Sequence, residues 1–163
     1  MDSGDVDFLA RCDSSWAPPD TWTPFWMGMA EYVSTKSKDR STKVGCVIVG
    51  PDQEVRALGY NGFPRGIMDH IEARHARPAK YQWTEHAERN AIYNAARVGV
   101  SLKGCTAYLQ WFPCVDCARG LIQSGVTRVV HKPYDIGDPK WGKDFHTSAE
   151  MLREAGVQCT EVK

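Results

Sequence analysis

Apolar positions change their spacing several times along the chain, and each change marks an element. Phe25, Trp26, Met29 and Val33 recur at helical intervals behind Thr23 and Pro24. A helix is therefore expected over about 24–35, with Thr23 as its cap and Pro24 in its first position. VGCVIV (44–49) is a continuous apolar run closed by the turn sequence PDQE, and EVRALGY follows as a second strand. The short connection predicts antiparallel pairing. Helical spacing returns between Glu85 and Val98, where Ala87, Ala91, Ile92 and Ala95 share a face and Gly99 supplies the stop. CTAYLQWF reads as a strand, and the segment after Pro113 as a helix with Ala118, Leu121 and Ile122 inward, ended by Gly125. TRVVHK is a further strand. A last helix over about 145–155 ends at Gly156 and leads into VQCTEV. Strands separated by single helices become parallel neighbours through right-handed crossovers. The expected fold class is α/β, a three-layer α-β-α arrangement around a mixed five-stranded sheet.

Two stretches stand outside this rhythm. The opening segment contains CDSSWAPPD, rich in turn formers, so residues 1–21 are expected to form an N-terminal arm and 22–163 one domain. Residues 61–83, NGFPRGIMDHIEARHARPAKYQW, hold glycines, prolines and basic residues without period. A loop of that length in a compact domain usually serves as a lid or a binding surface.

The chain has 163 residues, enough for one substantial core, and 42% hydrophobic with 25% charged residues is an ordinary globular composition. Twenty basic residues balance twenty acidic ones. That excludes a bulk basic coating for polynucleotides, while leaving room for a local basic pocket. No apolar run reaches the roughly 18 residues of a membrane helix. The start, MDSGDVDFLA, is acidic and has no basic region before an apolar stretch, so no secretory signal is expected. Cys46 and Cys105 lie in strand-like runs and read as buried reduced thiols, which suits a cytoplasmic location.

Chemistry concentrates in TEHAERNAI and FPCVDC. His86, Cys114 and Cys117 offer one imidazole and two thiolates, a donor set suited to zinc, with a fourth tetrahedral position left for water. Both cysteines fall at the start of a helix, where free N–H groups favour thiolates. Glu88, two residues past His86, can border such an ion without binding it and move protons. A lone CxxC also suits a redox pair or half of a four-ligand structural site. No second CxxC exists, and HxE followed by PCxxC is the pattern of zinc-dependent nucleobase deaminases, so a catalytic ion is the favoured reading. His131 and His146 read as packing or surface histidines, as do His70 and His75 in the long loop.

SKDRSTKVGCVIV, GYNGFPRG, HAERNAIYNAAR, LKGCTAYL and PCVDCARGLIQSGV together resemble the deoxycytidylate (dCMP) deaminase family of the cytidine deaminase superfamily, over about residues 22–160. The zinc motif marks the superfamily, and GYNGFPRG with a long loop before HAExNAI narrows the match to the dCMP branch. The resemblance implies the cytidine deaminase-like fold, with one Zn2+ held by His86, Cys114 and Cys117, and Glu88 as proton shuttle. It further implies Asn61 against sugar or base, the Ala87 backbone on the pyrimidine edge, and Pro113 shaping the ligand turn. Family members are often hexamers regulated by dCTP and dTTP, so a homo-oligomer (dimer to hexamer) and Mg2+ accompanying such an effector are expected. Some phage relatives carry a second zinc on extra cysteines, but 61–83 has none, so one ion per chain is expected.

Arg89 stands where leucine is common, and Trp111 where a smaller residue is usual. Trp111 is a candidate to stack on a base, and Arg89 to reach a phosphate or a subunit contact. Lys38, Arg40, Lys43 and Arg65 lie near the strand ends, with Arg40 and Arg65 the best candidates to clamp a phosphate. The expected reaction is hydrolytic deamination of dCMP to dUMP, supplying dTMP synthesis. Deamination of another free nucleotide or nucleoside, such as 5-modified dCMP, cytidine or deoxycytidine, is the alternative. A non-catalytic zinc protein is disfavoured by the intact Glu88, and neither a polynucleotide nor a membrane is an expected partner.

Overall fold

The computed structural model describes residues 20–163, so the expected arm lies almost wholly outside the described residues. Helix α1 (Trp22–Ser34) starts earlier than the sequence pattern suggests. Asp20 accepts the N–H groups of Trp22 and Thr23 through Oδ1 at 3.1 and 3.0 Å, so Asp20 and not Thr23 caps the helix. Thr23 is buried inside the first turn, and Pro24 follows it where no intrahelical N–H is required.

Strands β1 (Gly45–Val49) and β2 (Val55–Tyr60) pair antiparallel across the PDQE turn. Helix α2 (Lys80–Trp83) is a single turn inside the long loop, and α3 (Ala87–Val98) ends at Gly99, whose φ of 73° is left-handed. Strand β3 (Thr106–Leu109), helix α4 (Val115–Gln123), strand β4 (Arg128–His131), helix α5 (Gly142–Glu154) and strand β5 (Gln158–Glu161) complete the chain. The sheet order is β2-β1-β3-β4-β5, with β1 antiparallel to both neighbours and β3, β4 and β5 parallel. The mixed five-stranded sheet of the sequence reading is therefore present.

Continuous burial along β1 reflects a layer on each side. Cys46 and Ile48 pack with Ala91 and Ala95 of α3, Leu121 of α4 and Leu152 of α5. Val47 and Val49 pack with Trp26, Met27 and Ala30 of α1. A Cβ at Gly59 would lie 2.1 Å from the Ala87 carbonyl oxygen and 2.4 Å from the Ala91 nitrogen. Only glycine lets the first turn of α3 rest on β2, and that contact sets where His86 and Glu88 emerge. Among the described residues no helix is long and apolar enough to cross a membrane.

Candidate active site

His86 and Cys114 occupy equivalent positions, each the extended residue before a helix, α3 and α4 respectively. Cys117 lies one turn into α4. The His86 Nδ1 atom is 3.4 Å from Cys114 Sγ and 3.5 Å from Cys117 Sγ, and the three donor atoms lie within 4.8 Å of one another. Tetrahedral zinc with ordinary Zn–N and Zn–S bonds separates such donors by about 3.5 Å, so the triad fits the ion in spacing as well as donor type.

Neighbouring elements hold the triad in place. Val115 donates its N–H to Asp144 Oδ2 at 2.9 Å, and Ser148 Oγ donates to the Pro113 carbonyl at 2.7 Å, so α5 pins the cysteine turn from both sides. Trp141 meets the His86 ring edge-on at 6.4 Å between centroids. A hydrogen bond from Cys117, with the His86 ring alongside, brings the Cys114 thiol down to about 4 against the opposing effect of burial. Cys117, beside that sulfur and buried, is pushed up in turn. The pair thus favours one thiolate even before a metal supplies charge.

Glu88 is 5% exposed, and burial pushes its carboxyl above the usual carboxylate range. It borders a cavity of about 480 Å³ together with His86, Ala87, Asn61 and Trp111. That volume lies within the roughly 300–1,000 Å³ of small-molecule sites. The Asn61 amide is already oriented: Oδ1 accepts the Val44 N–H at 2.8 Å and Nδ2 donates to the Thr42 carbonyl at 2.8 Å. One amide hydrogen and one lone pair remain for a ligand. The Trp111 ring is 47% exposed at the cavity wall, available for stacking.

Arg40 and Arg65 do not line this cavity. Arg40 Nη1 pairs with Glu72 Oε1 at 2.5 Å on the outer surface, and Arg65 donates to Asn94 Oδ1. Lys38 pairs with Asp69. The cations that do line it are Arg77, Lys80 and Lys140. Lys80 is buried and bonds Asp39 Oδ2 at 2.7 Å, Asp39 Oδ1 at 3.0 Å and Ser41 Oγ at 2.6 Å. Lys140 contacts the Tyr81 hydroxyl, with its ammonium 3.9 Å from the Tyr81 ring centroid and 4.6 Å from that of Trp141. The loop 61–83, expected as a lid or binding surface, thus lends Arg77, Lys80 and Tyr81 to the cavity wall, whereas nothing in the spacing of 138–141 marks that loop as a wall. His131 is a buried packing residue, edge-on to Phe112 at 4.7 Å. Arg89 does not line the cavity; its side chain, 21% exposed, pairs with Glu85 and Asp116.

Comparison with known proteins agrees with this geometry. Residues 20–132 match the model of the cytidine and deoxycytidylate deaminase zinc-binding region. An uncharacterised deaminase of Aliivibrio fischeri is 39% identical, covering 85% of this chain and 92% of that protein. Human deoxycytidylate deaminase is 34% identical over 83% of this chain and 76% of its own length. The crystal structure of cyanophage S-TIM5 dCMP deaminase, in complex with dCMP and dUMP, superposes with a TM-score of 0.71 at 26% identity, over 90% of this chain and 100% of that one. With the donor triad, the sheet order and the matched region in agreement, the chain belongs to the cytidine and deoxycytidylate deaminase family.

Proposed function

We propose that this protein is a zinc-dependent hydrolase that converts dCMP and water to dUMP and ammonia, supplying dUMP for dTMP synthesis. The observation that carries the reading is Glu88: a buried carboxyl beside three metal donors, at the wall of a nucleotide-sized cavity. A purely structural metal site has no use for it. Human and phage relatives that act on dCMP support the choice of base and phosphate.

His86, Cys114 and Cys117 hold the ion. Zinc bound there supplies the Lewis acidity that lets water lose a proton near neutral pH. Glu88 accepts that proton and delivers it to N3 of the cytosine as the water oxygen bonds to C4. It then carries the second water proton to the amino group, the C4–N4 bond breaks, and the C4 carbonyl remains. A carboxyl raised by burial is suited to both accepting and returning a proton. The Ala87 backbone meets the pyrimidine edge, Asn61 uses its free amide hydrogen on the sugar, and Trp111 stacks. For the phosphate, Arg77 and Lys140 replace Arg40 and Arg65, because they line the cavity and, among the described residues, neither has a carboxylate partner.

Residues 22–163 act as one domain in this reading, as a homo-oligomer between dimer and hexamer in the cytoplasm. Exposed Tyr93 and Val98 on α3, with Leu58 and Tyr60 on edge strand β2, offer apolar surface for subunit contacts. No disulfide joins the described cysteines, which supports a reducing compartment. Regulation by dCTP and dTTP with Mg2+ follows the family. The deciding experiment measures ammonia release from dCMP, CMP, 5-methyl-dCMP, deoxycytidine and cytidine, with and without each effector. Preference for dCMP by at least about tenfold, the low end for one charge-assisted phosphate contact, is expected. Equal efficiency with deoxycytidine would overturn the nucleotide reading, and light scattering that returned a monomer would overturn the oligomer.

A further inference from the structure

Glu85 immediately precedes the histidine of the donor triad, and its backbone is fixed by reciprocal hydrogen bonds with Gly62 at 3.0 and 2.8 Å. Its Oε1 accepts the His86 N–H at 3.1 Å and the Arg89 Nε–H at 2.5 Å. Arg89 lies one turn further along α3, and both side chains are 21% exposed, so this contact is largely shielded from water. The other end of the same guanidinium crosses to α4, where Nη1 is 3.6 Å from Asp116 Oδ2. Asp116 sits between Cys114 and Cys117 and also pairs with Arg119 of its own helix. One side chain therefore spans the two turns that supply all three donors.

We propose that Arg89 is a positioning residue for the metal centre, strapping the turn that carries His86 to the turn that carries Cys114 and Cys117 so that the donors are held at the ion's spacing. The inference rests on the reading of the triad as a zinc site and is independent of the substrate. A planar guanidinium hydrogen-bonded to Glu85 holds its other end in ion-pair range of Asp116, an orientation that an aliphatic residue cannot supply and a lysine does not fix. Partners that orient metal ligands in this way are worth about 10- to 100-fold in affinity.

The test compares zinc affinity, by chelator competition, in the parent, Arg89→Met, Arg89→Lys and Asp116→Asn, with melting curves of metal-free and zinc-loaded protein. Arg89→Met should bind zinc about 10- to 100-fold more weakly. The lysine variant should recover part of that loss. Asp116→Asn, which cuts only the exposed end of the strap, should lose less in the same direction and serves if Arg89→Met does not fold. In cobalt-loaded protein, the thiolate-to-metal absorption band should shift in Arg89→Met. A residue serving only the scaffold would lower the stability of metal-free and loaded protein equally and leave affinity unmoved. Affinity within threefold of the parent in both Arg89→Met and Asp116→Asn would overturn the proposal. A parent chain that binds no zinc would instead overturn the reading of the triad.

Discussion

The cavity has two walls of different construction. One consists of the starts of α3 and α4, where His86, Glu88, Cys114 and Cys117 are set by the Gly59 contact and by α5. The other consists of connecting segments, 37–44, 76–84 and 138–141, joined by side-chain contacts such as Lys80–Asp39 and Lys140–Tyr81. The first wall is built on regular backbone and carries donors and a proton carrier. The second carries cations and aromatic faces on segments with few backbone hydrogen bonds to each other. Chemistry that tolerates little displacement is thus placed on helix starts, and selection of the ligand on loops, where residues can differ without disturbing the donors.

The sharpest way to separate the walls is Glu88→Gln. The amide keeps size and burial but cannot carry a proton, so kcat should fall by about 10²- to 10⁴-fold on every substrate alike, with zinc content and melting temperature retained. Steady-state rates with metal analysis check this. Activity within tenfold of the parent, with zinc bound, would move the proton transfer to another group.

The second wall should fail through its buried pair. Lys80→Met leaves the Asp39 carboxylate buried without its cation, which costs about 3–5 kcal/mol of folding stability. Lys80→Met combined with Asp39→Asn should recover most of the loss, because no uncompensated charge remains. Urea unfolding of the two variants makes the comparison. If the single variant were as stable as the double one, the pair would not be what holds the loop wall.

Smaller effects are expected from Arg77→Ala and Lys140→Ala. A charge-assisted phosphate contact is worth roughly 1.5–3 kcal/mol, so each should lower kcat/KM for dCMP by about 10- to 150-fold. Deoxycytidine brings no phosphate and should fall much less. A uniform fall on both substrates would mean that these loops serve the donor wall as well, and the distinction between the walls would collapse.

The two walls also differ in how much of them the sequence disclosed. His86, Cys114 and Cys117 were legible because donor chemistry and helix-start spacing constrain residue type and interval together. The sheet was legible because β1 is apolar throughout and single helices link β3, β4 and β5. Arg40 and Arg65 carry charge near strand ends, which makes them candidates in sequence, yet local partners, Glu72 and Asn94, hold them on the outer surface. Arg77 and Lys140 sit in segments without period, and only the tertiary fold brings them to the cavity. Asp20 took the cap expected of Thr23 because one carboxylate can accept two N–H groups.

The mildest expected effect concerns acid. Burial tends to raise the Asp39 carboxyl, but the Lys80 ammonium and the N–H groups of Ser41 and Thr42 outweigh it and bring it down to about 2. A carboxyl depressed in the folded state contributes stability above its unfolded value, near 3.8, and that contribution is lost as pH falls through the folded value. The separation corresponds to about 2 kcal/mol, present in full above pH about 5 and mostly gone by pH 2. Protonation of the zinc donors and of exposed carboxylates falls in an overlapping range, so the parent curve alone cannot isolate the pair. The difference between the parent and the Lys80→Met, Asp39→Asn double variant cancels those shared contributions. It should stay flat from pH 7 to 5 and shrink by about 2 kcal/mol between pH 5 and 2, read from urea unfolding at fixed ionic strength. A difference flat down to pH 2 would mean that the Asp39 carboxyl is not depressed in the folded state, and that its ionisation contributes nothing to holding the loop wall.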